Sequence, residues 1–242
     1  YGLSRPASSD IQEQIRKRCG FGCVICGTCF YDYEHFDPDF ADAKAHRPEG
    51  MTLLCMQCNQ KRKRGILSRE TVARWNRTPK CLEQGFAREW LDYGAHPVAI
   101  SIGSCTSSWG NILTVDNESI LAVRAPISPG LPWILSAKFA DHLGSPTLTI
   151  EDNHLIVHSS NWDVIAKGAR IIVRPQKGKR SLVLKMEPPT TMHIEKIDMS
   201  WAGRSIRADK RRLQIKSPGN EDWFTLRDIH NESNSGMGLI SI

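Results

Sequence analysis

The sequence lacks any apolar run of about 18 residues, so no membrane-spanning helix is expected and no membrane partner. It lacks a charged-then-apolar leader ahead of its first helix signal, which sets the expectation of a cytoplasmic, reducing compartment. It has no cysteine beyond Cys105, and six of its eight cysteines precede residue 60, which argues against a disulfide framework spread over the chain. It also lacks strong charge: a net +6 suits an anionic partner but is too mild to establish one. Residues 97–242 carry His142, His154, His158, His193 and His230, yet none stands in a metal-binding or triad-like spacing with Cys, Asp or Glu.

What is there begins with two pairs, Cys23-x2-Cys26 and Cys55-x2-Cys58. In a reducing compartment such pairs bind metal more often than they oxidise, and four thiolates form the closed tetrahedral set that structural zinc prefers. The segment between the pairs is longer than a compact zinc ribbon needs, and it contains "YEHFDP".

Helix signals cover 9–19, capped by Ser9 or Asp10, and "CMQCNQKRKRG", stopped by Gly65. Ser68 can cap "RETVARWNR", and Pro79 opens a further helix, "KCLEQGFAREWL", with Leu82, Phe86 and Trp90 spaced by four. Short strands are expected at 29–36 and 51–54. After Pro97, β-rich runs alternate with turn residues, in the spacing of a β-sandwich or small barrel. "LTVDNESILAV" and "LTIEDNHLIV" both read strand, Asp-Asn turn, strand, which is a repeated hairpin rather than a solenoid. The domain boundary is placed near residue 96, giving 1–96 and 97–242.

Several residues together resemble the HNH endonucleases, in the subgroup supported by a four-cysteine zinc. They are Cys23 and Cys26, the Glu34-His35 pair followed by Pro38, the apolar "MTLLC", and "CMQCNQKR" with Asn59 directly after Cys58. The resemblance covers about residues 10–66. It implies an α+β fold: a small zinc-supported ββα-metal domain with flanking helices, followed here by an all-β domain. It implies His35 as general base, Glu34 and Asn59 as ligands of a catalytic Mg²⁺ or Mn²⁺, and Arg62 against phosphate. Lys61, Lys63 and Arg64 add positive field beside it.

Such chemistry needs these residue types. Phosphodiester hydrolysis requires an in-line water, a base, and a cation to offset charge on the phosphate and leaving oxygen. A neutral imidazole suits the base role near pH 7, and a hard divalent ion takes oxygen ligands. The implied activity is a metal-dependent endonuclease acting on double-stranded DNA, with a role in defence or restriction. One site per chain and two strands to cut favour a homodimer or a partner protein, recruited through the C-terminal domain. The other reading is a zinc-stabilised nucleic-acid-binding or interaction module whose motif has lost turnover. Its support is a departure: the family's central Asn falls on Gly50, which has no side chain to brace the loop of the base histidine. His46 and Glu49 stand near enough to replace it.

Overall fold

The computed structural model of the protein describes residues 3, 4, 6–231 and 240–241. The expected α+β architecture is overturned. Among the described residues the chain is mostly β, with 42% strand against 16% helix, and the strands build two large sheets of seven and ten members. A ββα-metal domain with flanking helices does not describe it. Among the described residues no helix is long and apolar enough to cross a membrane. The chain divides into two compact units. One is the chain up to Glu89 together with Val157–Gly168; the other is Trp90–Ile156 together with the chain from Ala169 onward.

In the first unit, α1 spans Ser9–Cys19. Its cap is Ser8, whose hydroxyl accepts from the Ile11 amide, rather than Ser9 or Asp10. Gly20 ends it in the left-handed conformation that glycine adopts at no steric cost. β1 (Asp32–His35) and β2 (Met51–Leu54) form a two-stranded antiparallel ribbon, with Glu34 opposite Thr52 and His35 opposite Met51. β1 is shorter than the 29–36 expected. α2 (Met56–Lys63) follows β2 directly, and α3 (Arg69–Arg77) is capped by Ser68 as its sequence signals. The apolar filling is Ile15, Cys19, Val24, Met51, Leu53 and Leu54, all essentially buried.

The helix expected from Pro79 to Leu91 is half strand. α4 covers only Lys80–Gln84; Gly85 then turns left-handed and β3 (Phe86–Trp90) begins. The spacing of Leu82, Phe86 and Trp90 imitates a helical face, but Leu82 and Trp90 are each about half exposed. A helix would have needed that face as core.

The second unit is built from meanders. β4 (Ala99–Ile102) and β5 (Cys105–Ser107) pair antiparallel, and β4 adds in parallel to a longer strand, Thr191–Trp201. β6 (Gly110–Val115) and β7 (Glu118–Arg124) form the first Asp-Asn hairpin. β8 (Ile134–Ala140), β9 (Pro146–Glu151) and β10 (His154–His158) continue that sheet in order. Both turns carry positive φ at both central residues, Asp116-Asn117 and Asp152-Asn153, the backbone of a tight primed turn. Asn153 does more than turn: buried, it accepts from the Leu135 amide and donates to the Trp133 carbonyl.

Candidate active site and cysteine cluster

The four cysteines come from two turns. The Cys23–Gly27 turn is closed by the Gly27 amide donating to the Cys23 carbonyl at 2.9 Å, and the Val24 amide donates to the Leu53 carbonyl of β2. Cys55 caps α2, its sulfur accepting from the Cys58 amide. The four sulfurs lie within 4.8 Å of one another, so the set could hold a metal such as zinc. Cys26 and Cys55 are 3.6 Å apart, sulfur to sulfur. A tetrahedron with metal–sulfur bonds of about 2.3 Å has an edge of about 3.8 Å, so the spacing suits a shared ion. Electrostatics points the same way. Hydrogen bonds from the Cys26 thiol and from the backbone amides of Cys26, Cys55 and Ile25 overcome burial and lower Cys23 to about 5. Burial, and next the charge of Cys23, push Cys58 up to about 12. One thiolate forms readily and further ones are opposed, a conflict that a divalent cation removes.

The same short stretch places the candidate catalytic groups. Glu34 sits in β1, His35 ends that strand, and Asn59 lies on α2 one residue past Cys58. The structure brings Glu34 and Asn59 together: the Asn59 amide nitrogen donates to a Glu34 carboxylate oxygen. Asn59 is 5% exposed, and its amide oxygen is buried with no hydrogen-bond partner among the described residues. An unsatisfied buried oxygen costs about 1–3 kcal/mol. Beside a carboxylate, it supplies the oxygen donors that a hard cation takes. Burial raises the Glu34 pKa, against the opposing pull of Lys63 and the Asn59 hydrogen bond. His35 is 6% exposed, and burial together with His46 lowers its pKa, which favours the neutral imidazole.

The bracing expected of an asparagine is distributed over other groups. A side chain at position 50 would not fit: a Cβ built there collides with the Asp37 carbonyl oxygen. Instead the Gly50 carbonyl accepts from the amides of Phe36 and Asp37, at 2.9 and 3.2 Å, and pins the chain directly after His35. The imidazole itself is held by His46, with His35 Nε2 2.9 Å from His46 Nδ1. His46 Nε2 lies 2.7 Å from the Ser4 carbonyl oxygen. Glu49, the other candidate brace, stands in the short 3-10 turn Pro48–Gly50.

The basic residues of α2 separate into two kinds. Lys61, Lys63 and Arg64 are exposed. Arg62 is largely covered and donates to Asp39, which Arg69 also reaches at 3.3 Å. Partial burial works to raise Asp39, but hydrogen bonds and charge from Arg62 and Arg69 prevail and lower it. Arg62, Lys63, Ser68, Arg69 and Asp39 border an open cavity of about 380 Å³. Neither the Arg62–Asp39–Arg69 cluster nor the Arg16–Asp163 pair is announced by the sequence. Arg16 of α1 donates twice to Asp163, at 2.8 Å each, and to the Tyr33 hydroxyl at 2.7 Å. The two partners are separated by 147 residues, and no local pattern announces them.

The chain matches no protein-family model, no curated protein and no solved structure.

Proposed function

We propose that this protein is a divalent-metal-dependent endonuclease that hydrolyses phosphodiester bonds in double-stranded DNA. The resemblance of residues 10–66 to HNH endonucleases is the starting point. The observation that carries the reading is the Asn59 amide oxygen, buried against Glu34 without a partner among the described residues. Glu34 and Asn59 would hold Mg²⁺ or Mn²⁺, which supplies charge neutralisation for the phosphate and the leaving oxygen. His35, neutral and hydrogen-bonded through one nitrogen, takes the proton of the attacking water. Lys61, Lys63 and Arg64, exposed on α2, meet the phosphate backbone, and Arg62 stays anchored on Asp39 until the duplex competes for it. Zinc on Cys23, Cys26, Cys55 and Cys58 ties the turn before β1 to the start of α2, so it fixes Glu34 relative to Asn59.

The second unit offers assembly or targeting, and a homodimer would bring two sites to two strands. The test is nicking of supercoiled plasmid with Mg²⁺ or Mn²⁺. The parent protein should nick and His35→Ala should lose at least about 100-fold, the lower end of what a general base contributes. DNA affinity in His35→Ala should stay within a few-fold of the parent. A parent protein that binds DNA but never cuts it, with either ion, establishes the binding-module reading instead.

A further inference from the structure

His46 is the one side chain that holds the His35 ring by a hydrogen bond among the described residues, and the order of that bond can be read from its far end. The Ser4 carbonyl oxygen can only accept, so at 2.7 Å His46 Nε2 must carry a proton. In a neutral ring the other nitrogen, Nδ1, is then an acceptor. It faces His35 Nε2 at 2.9 Å, so His35 donates its Nε2–H there, and the His35 lone pair is left on Nδ1. The reverse order would set two lone pairs against each other at the Ser4 carbonyl. Among the described residues no other side chain hydrogen-bonds the His35 ring. Gly50 has no side chain, and the Asp37 carbonyl leaves no room for one. Phe40 contributes only an edge contact, its ring centroid 5.4 Å from that of His35.

We propose that His46 is a positioning residue: with the Ser4 carbonyl behind it, it fixes the orientation and tautomer of His35 so that Nδ1 is the basic nitrogen. The device replaces in function the side chain that Gly50 lacks. It rests on the nuclease reading above for its catalytic meaning, but its hydrogen-bond order stands on the geometry of a neutral His46 ring, independent of any activity.

Two measurements on the full chain at pH 8 test it, and each fails separately from the nuclease reading. The first is the ¹⁵N–¹H correlation of the histidine rings. His35 should carry its proton on Nε2 in the parent, with slow exchange that becomes fast in His46→Ala. A His35 proton found on Nδ1, or unchanged exchange in His46→Ala, overturns the proposal whether or not the protein cuts DNA. The second is plasmid nicking with Mg²⁺. His46→Ala should lose about 10- to 100-fold in kcat, the usual cost of removing an orienting partner, with KM within about threefold. In His46→Asn the amide oxygen sits where Nδ1 was and still accepts, so most of that loss should be recovered. The zinc content of each variant checks that the site is still folded. A His46→Ala protein that nicks like the parent, while His35→Ala does not nick, overturns the proposal and leaves the nuclease reading standing. Absence of nicking in the parent removes the nuclease reading and leaves the ring measurement to decide the hydrogen-bond order.

Discussion

Gly50 shows how a residue without a side chain can be a constraint. Its carbonyl binds two consecutive amides beyond His35, and the Asp37 carbonyl occupies the space in front of its α-carbon. Placing there the asparagine that the HNH resemblance leads one to expect should therefore harm the protein rather than improve it. Gly50→Asn is expected to destabilise by about 1–3 kcal/mol, the range for overpacking a filled site. It should lower nicking along with stability. Thermal unfolding read beside nicking decides this; a Gly50→Asn protein as stable as the parent and more active would mean that the loop has room after all. Asn59 makes the opposite case, a side chain with one group unspent. Asn59→Ala removes both the orphaned oxygen and the donor to Glu34. It should blunt the response of nicking to added Mg²⁺, seen as a rightward shift in a metal titration, with little loss of fold.

At the scale of elements, the ribbon β1–β2 and helix α2 are too small to bury enough apolar surface to hold a site unaided. A metal ion held by the cysteine cluster would compensate by joining the turn at Cys23 to the cap of α2 at Cys55. We expect one zinc per chain by elemental analysis. Stripping it with a chelator, or substituting Cys58 by Ser, should unfold this stretch, because ion binding and folding are coupled where a metal holds a small site together. A metal-free protein with the same unfolding temperature would remove the ion from the account. A second tie is electrostatic. Arg16 and Asp163 are 3% and 0% exposed and bonded twice. Breaking such a pair strands a buried charge, so Asp163→Ala should cost about 3–5 kcal/mol. Combining Arg16→Met with Asp163→Leu should cost much less, since no charge is then left behind. Equal losses for the single and double changes would show that the pair acts through shape and not charge.

For the whole molecule, the unusual feature is that Val157–Gly168 belongs to the first unit although it lies far along the chain. A fragment ending at residue 96 thus lacks Asp163, its carboxylate and the strand that packs on α1, and leaves Arg16 without that partner. That fragment should bind zinc but unfold at lower temperature than the corresponding transition of the full chain. Arg16→Met should recover part of the deficit in the fragment while destabilising the full chain. Calorimetry of the four proteins tests the prediction, and a fragment as stable as its counterpart would mean that the segment is dispensable.

The sequence by itself determined what local chemistry can encode. The two Asp-Asn hairpins were legible because their turns need residues that tolerate positive φ, and both have them. The α3 cap at Ser68 and the pairing of Cys23, Cys26, Cys55 and Cys58 were legible because they depend on spacing over a few residues. Spacing misled where two structures share it. Leu82, Phe86 and Trp90 fit a helix, but Gly85 breaks the chain and Phe86–Trp90 is extended, so the balance of helix and strand was misjudged. Only the tertiary structure decided which distant groups meet: His46 with His35 and the Ser4 carbonyl, Arg62 and Arg69 on Asp39, Arg16 on Asp163. The physical reason is that a hydrogen bond or ion pair needs its partners within about 3 Å, whatever their separation in the chain. Local propensity carries no information about a partner that packing brings in from 147 residues away.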